Sequence, residues 1–502
     1  MEIKKSEGTN KSERKLARLG KNIFLKLWSY PNVYYEKGKE LTDLLVVCDN
    51  HILIFSDKKI KFDDSKVIPL KCIKLSDKGP KLDIPKDLSL AWERWHKKAI
   101  LKSIKQLRGA EYRIRNFPNE IFLDPKCTQK LPISIPSSKN MKIHLICIAN
   151  GATEACKKFF GGKCTSSLQF STDLYEYESM MGESLFFTTD YDKSKTFAHV
   201  FDNFSFTFIS RELDTLRDFV DYLEEKEVFI RKFKSTLIYT GEEDLLYNYV
   251  KNFDKERNRH TFLNMDEYEK FKNSDTLMFA EEDWEEFKKS PEYLAKKQAN
   301  KISYIWDKLI RGTAKNILNG TAILEPDLST HEGAIRYMAL ENRTARRVLS
   351  KGIEDAINSY PYPTITPPTI TDNLKIYETL GLIDNNNEQI YFFLQLQKQS
   401  AEPYEVYRYK IKFCLEKYGM CLKSKFVSEK PEMNIKRVIG IALEPLLNIQ
   451  TTYIISALLI DCSQWTDKQQ IECERIRKDL KIWRTPLEQI NKAVFKEYPD
   501  IS

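Results

Sequence analysis

Two apolar runs stand close together early in the chain. Leu44 to Cys48 and His51 to Phe55 are separated only by Asp49-Asn50. Two turn-forming residues between two β-prone runs predict a tight hairpin. On that register Cys48 faces His51, Val46 faces Leu53 and Asp43 faces Ser56. Lys58 falls on the face of Ser56, because strand side chains alternate with period 2. Both faces of the hairpin are otherwise apolar, which predicts a central position covered on both sides. Before it, Leu16, Leu19, Ile23, Phe24, Leu27 and Trp28 recur at helical spacing, predicting an amphipathic helix over 9–28 that ends at Pro31.

After the hairpin, Val67 to Leu75 offers a third strand. A long helix is predicted from about Leu90 to Arg115, capped by Asp87 or Ser89. It is basic, with Lys98, Lys102, Lys105 and Arg108 among its cations, and carries Trp92, Trp95, Gln106 and Tyr112. Met141 to Ala149 reads as a fully apolar strand, followed by a helix from Ala152 to Phe160. Short strands are predicted near Leu185 to Thr189 and Phe204 to Ile209, and a helix over Leu213 to Phe233. Helical patterns fit 242–254, 265–273, 282–317 with a break at Pro291, and 329–358. The stretch from Ser359 to Thr369 is rich in proline and predicts a linker. Beyond it come strand (390–396), helix (404–421), two strands (437–443 and 451–460) and a final helix (467–482). The fold class is therefore α/β, mixed with α+β, in several domains: 1–135, 136–240, 241–360 and 374–502.

Composition narrows the classes. A chain of 502 residues with 42% hydrophobic residues can bury large cores, and 17 Gly and 19 Pro exclude a fibrous or disordered chain. A net charge of +8 permits nucleic-acid binding without demanding it. Ten cysteines occur with no C-x-x-C, so reduced thiols are expected rather than a zinc cluster. No apolar signal region opens the chain and no apolar run is long enough to span a membrane, so a soluble, cytoplasmic protein is expected. Phe159-Phe-Gly-Gly-Lys-Cys-Thr lacks the first glycine of a phosphate loop, and His331-Glu332 lacks the second histidine of a zinc protease. Arg336, Arg343, Arg346 and Arg347 cluster on one predicted helix, as a solvated face or a phosphate contact.

The stretch Gly38 to Lys59 resembles the core of the PD-(D/E)XK, or restriction-endonuclease-like, nucleases, most of all their nuclease-related subgroup. That pattern sets an acid before an aspartate that opens a strand, then a hairpin, then acid-x-lysine. Glu40, Asp43 and Lys58 match its first acid, aspartate and lysine. Ser56 stands in the second acid's slot. Asp57 is adjacent and reaches the site only through a β-bulge, which would pair it with Lys59.

The resemblance covers the first quarter of the chain and implies a metal-dependent nuclease acting on DNA. Catalysis falls to Asp43, Lys58, Glu40 and Asp57, with Mg²⁺ or Mn²⁺ on Asp43 plus Glu40 or Asp57. It also implies that the helix before the hairpin brings the first acid, Glu36 or Glu40. Lys98, Lys102, Lys105 and Arg108 would track phosphates, and Gln106 would orient substrate or metal water. By analogy such a chain serves bacterial genome defence, with a protein partner or a second copy. The alternative is an inactive nuclease fold that binds nucleic acid or a partner and cleaves nothing.

Overall fold

The computed structural model describes residues 5–73, 83–137, 139–161, 167–172, 185–234, 236–254, 256–257, 259–279, 283–319, 328–359, 374–381, 388–396, 398, 401–443, 454–489 and 496–499. The chain is mixed α/β and divides into two units, Lys4–Ser290 and Pro291–Ser502 with Met1–Ile3.

The first unit begins with helix α1, Lys11–Ile23. The Asn10 side chain caps it by accepting the Ser12 and Glu13 amides at 2.9 and 3.0 Å. Its apolar face buries Leu16, Ala17, Gly20 and Ile23. Gly20 allows close approach to the sheet, because a Cβ there would lie 2.9 Å from the Leu44 side chain. The helix is shorter than its apolar spacing predicts. Leu25 takes a left-handed φ of 63°, and after a turn at Leu25–Trp28 the chain enters strand β1, Ser29–Glu36. Pro31, expected only to end the helix, lies inside β1. Proline cannot donate to a ladder, and β1 accommodates it as the edge strand.

Strands β2 (Lys39–Cys48) and β3 (His51–Lys59) form the expected hairpin, pairing Cys48 with His51, Val46 with Leu53 and Leu44 with Phe55. Asp49 turns the chain at φ 55°. Strand β4, Lys142–Asn150, runs parallel to β3 in unbroken register from His51 with Lys142 to Lys59 with Asn150. Strand β5, Ala198–Phe201, continues parallel to β4. The sheet order is thus β1-β2-β3-β4-β5, so Lys142–Asn150 and Ala198–Phe201 complete the hairpin's own sheet, while Gln169–Ser171, Phe187–Thr188, Thr236–Tyr239 and Thr276–Phe279 form a second, four-stranded sheet within the Lys4–Ser290 unit.

Helices cover both faces. On one face Phe55 packs against Phe24 and Phe206, with ring centroids 5.7 and 5.8 Å apart. Phe206 belongs to helix α4, Asn203–Glu212, where alternating apolar residues had suggested a strand. Asp202 and Ser205 form a reciprocal capping box, which starts a helix there. Helix α5, Leu216–Lys232, follows. On the other face lie α2, Lys86–His96, a π-type turn at Lys97–Leu101, and α3, Lys102–Asn116. The Trp95 indole donates to the Ile60 carbonyl at 2.8 Å and tethers this helical run to the end of β3. Val67 to Leu75 is not a strand in its described part; 3₁₀ turns occupy Asp64–Lys66 and Leu70–Cys72.

In the second unit, helices α6 (Tyr304–Leu318), α7 (Leu328–Ala339) and α8 (Arg343–Ser359) belong with a four-stranded sheet. Its strands are β6 (Leu374–Gly381), β7 (Gln389–Leu396), β8 (Arg437–Leu443) and β9 (Ile454–Asp461), in that order, with β7 and β8 parallel. The unit boundary therefore falls at Pro291, inside the expected helical region 241–360, and not at the proline-rich stretch. Residues 360–373 of that stretch lie outside the described residues, as do 162–166 of the glycine-lysine segment. The arginine cluster is structural in part: Arg343 and Arg346 are buried on Asp307 at 3.0 and 2.6 Å. No described helix is long and apolar enough to cross a membrane. Nine described cysteines are free thiols.

Candidate functional site

The open end of the β2–β3 hairpin gathers most of the acids singled out from sequence. One carboxylate oxygen of Asp43 accepts the Asp57 main-chain amide at 2.5 Å. The neighbour Leu44 faces α1, so alternation turns Asp43 to the opposite face, that of Ser56 and Lys58. Ser56 is buried there, and its hydroxyl lies 3.1 Å from that of Ser103 on α3. The even register of β3 on β4 contains no bulge, so Asp57 stays on the α1 face. Its Oδ2 accepts from the Ser12 hydroxyl at 2.5 Å and its Oδ1 from the Asn150 amide at 2.6 Å. Asp57 and Lys59 therefore do not replace Ser56 and Lys58 as the acid-x-lysine pair.

Helix α1 contributes an acid that sequence reasoning missed. Asn32 on β1, at φ 49°, donates to Glu40 at 2.6 Å and to Glu13 at 3.0 Å, tying the two carboxylates together. Glu13 also accepts the Thr9 amide at 2.7 Å. Glu36 and Glu40, expected from the helix before the hairpin, sit on β1 and β2; Glu36 pairs with Lys39 at 2.9 Å. Glu13 comes beside the hairpin only through the packing of α1, which no local pattern in the sequence signals.

Burial, chiefly, raises the carboxyl pKa values of Asp43, Glu40 and Asp57. Asp43 is pushed up to about 6, with Glu40 and Asp57 adding to the rise and the Asp57 amide and Lys58 opposing it. Lys58 also pulls on Glu40, which is exposed, and on Asp57, so one lysine acts on three acids. Burial opposes ionisation of Glu13, but its bonds from Thr9, Asn32 and Asn10 hold it below the usual range. The surplus of negative charge fits a hard cation. Mg²⁺ needs only one or two protein carboxylates and keeps its waters. Asp43 and Glu40 each have one oxygen outside the bonds just described, whereas each Asp57 oxygen accepts a hydrogen bond.

The three acids do not draw into a tight cluster. Among the described residues, the one group of three His, Cys, Asp or Glu whose ligand atoms all lie within 4.8 Å is His51, His144 and Glu224. His51 lies at the other end of β3, beside the Asp49-Asn50 turn.

On the π-type turn and α3, Lys98, Lys102, Lys105 and Gln106 are exposed. Arg108 is not part of a free stripe: it is half-buried and lies 3.6 Å from Asp192. No family model, curated protein or solved structure matches the chain.

Proposed function

We propose that the Lys4–Ser290 unit is a metal-dependent nuclease that hydrolyses DNA phosphodiester bonds. The observation that carries this reading is the Asp43 carboxylate, fixed by the Asp57 amide on the face of Lys58, with Glu40 close enough to raise its pKa. Asp43 and Glu40 would hold Mg²⁺ or Mn²⁺. Bound there, the ion supplies a polarised phosphoryl oxygen and an activated water. Asn32 aims Glu40, and Glu13 aims Asn32. Lys58 stabilises charge on the phosphate and positions the attacking water. Lys98, Lys102 and Lys105 track the backbone by counterion release. A DNA-cleaving unit joined to a second α/β unit suits genome defence in a bacterial cytoplasm, an argument by analogy. The test is cleavage of supercoiled and linear DNA by purified protein in Mg²⁺, in Mn²⁺ and in EDTA. Metal-dependent strand scission is expected; its absence with every metal contradicts the reading.

A second reading has its own observation. Ser56, in the acid slot, is buried against Ser103, and Asp57 is spent on Ser12 and Asn150. A site short of one acid suits a scaffold that binds nucleic acid without cutting it. Retained DNA binding with no cleavage in any metal would favour it.

A further inference from the structure

At the hairpin-turn end of the sheet, two histidines interrupt apolar strands. His51 opens β3, and His144 lies in Lys-Ile-His-Leu-Ile-Cys-Ile on β4. His144 pairs with Leu53, two residues from His51, so both rings face the same side of the sheet. Helix α5 brings Glu224 to them. His51 Nδ1 lies 3.3 Å from His144 Nε2 and 3.7 Å from Glu224 Oε1. All three ligand atoms lie within 4.8 Å of one another. Tetrahedral zinc, with bonds of about 2.0–2.2 Å, sets its ligand atoms about 3.3–3.6 Å apart.

We infer that His51, His144 and Glu224 form a zinc site that clamps α5 to β3 and β4. The site is independent of the acidic end of the hairpin. Its donors differ in kind: two imidazoles and a carboxylate suit zinc, whereas Mg²⁺ takes oxygen. Both imidazoles are buried, and each offers one ring nitrogen to the group. The histidines are buried and the Glu224 side chain is 35% exposed, which leaves one side open for a water as fourth ligand.

Lys142 now holds that carboxylate, with Nζ at 2.9 and 3.3 Å from its two oxygens. The Lys142 side chain is half exposed and free to swing into solvent, so it competes with the metal without blocking it. Arg217 also faces His51, but it is bonded to Asp221 at 2.9 Å.

The test is calorimetric titration of the chelator-stripped full chain with Zn²⁺, in excess Mg²⁺ to fill oxygen sites. Wild type is expected to bind one Zn²⁺ and to melt at a higher temperature with it. Loss of even an outer partner of a metal ligand costs about 10–100-fold in affinity, so Glu224→Gln should weaken binding by at least about tenfold. Lys142→Ala, a surface change that leaves the donors intact, should tighten it. If wild type binds no stoichiometric Zn²⁺, or both variants bind it as wild type does, the inference is overturned and Lys142–Glu224 is only a salt bridge beside a histidine pair. Should Glu224→Gln fail to fold, Lys142→Ala alone decides.

Discussion

The main-chain amide of Asp57 donates to the carboxylate of Asp43 across the open end of the β2–β3 hairpin, at 2.5 Å. This one bond fixes the acid's orientation without the side chain of Asp57, which is occupied elsewhere. It separates the two residues' roles, and each role has a measurable consequence.

Asp43 is expected to oppose folding at neutral pH. Its native pKa of about 6 lies above the ordinary aspartate value of about 3.9. Below about pH 4 the carboxyl is protonated in both native and unfolded chains and contributes nothing. As pH rises towards 6 the unfolded chain ionises first, so stability falls, and above 6 the loss is complete. The gap corresponds to roughly 2–3 kcal/mol. Asp43→Asn, which keeps an acceptor for the Asp57 amide, should raise the melting temperature at pH 7.5 and leave it unchanged at pH 4. An equal effect at both values would show that Asp43 ionises normally.

Asp57 is expected to matter for stability more than for chemistry. Asp57→Ala deletes the acceptor of Ser12 and Asn150, tying α1 and β4 to β3. Losing bonds to a charged, largely buried acceptor costs on the order of 1–3 kcal/mol. Measured below its melting temperature, the variant should retain cleavage within about tenfold of wild type, a barrier change of ~1.4 kcal/mol. Complete loss of cleavage by a folded Asp57→Ala protein would place its carboxylate at the metal after all.

Binding should depend on the lysine stripe and not on Arg108. Replacing Lys98, Lys102 and Lys105 together by glutamine should weaken DNA binding. The slope of log affinity against log salt should flatten by about 2–3, since each phosphate neutralised contributes about 0.9. Arg108→Gln, in contrast, removes a residue already opposed by Asp192 and should leave the slope unchanged. Titration of a labelled duplex at several salt concentrations measures both.

The hairpin was legible because its signal is local: a two-residue turn and alternation fix register without tertiary information. The apolar run of β4 was legible too, but its attachment to β3 was not, because parallel neighbours carry no turn between them. β1 was lost to Pro31, and α4 to a run, Phe-Ser-Phe-Thr-Phe, whose alternation imitates a strand while Asp202 caps a helix. The sequence points to Asp43, Lys58 and Glu40 as one group, since all sit within one hairpin. It missed Glu13 and Asn32, whose roles come from a helix and an edge strand folding back onto that hairpin. The histidine–glutamate group was equally hidden: His51, His144 and Glu224 meet only through β3, β4 and α5.

The most direct measurement compares wild type with Asp43→Ala in a plasmid-nicking assay with Mg²⁺ or Mn²⁺, after thermal melts confirm that both are folded. Wild type should cut in metal and not in EDTA. Asp43→Ala should cut at no more than about a hundredth of that rate, a barrier increase of ~2.7 kcal/mol or more. It should bind DNA at least as well, because one negative charge has left the site. Equal cleavage by the two proteins, with the same metal dependence, would contradict the assignment of Asp43 as the centre of the site.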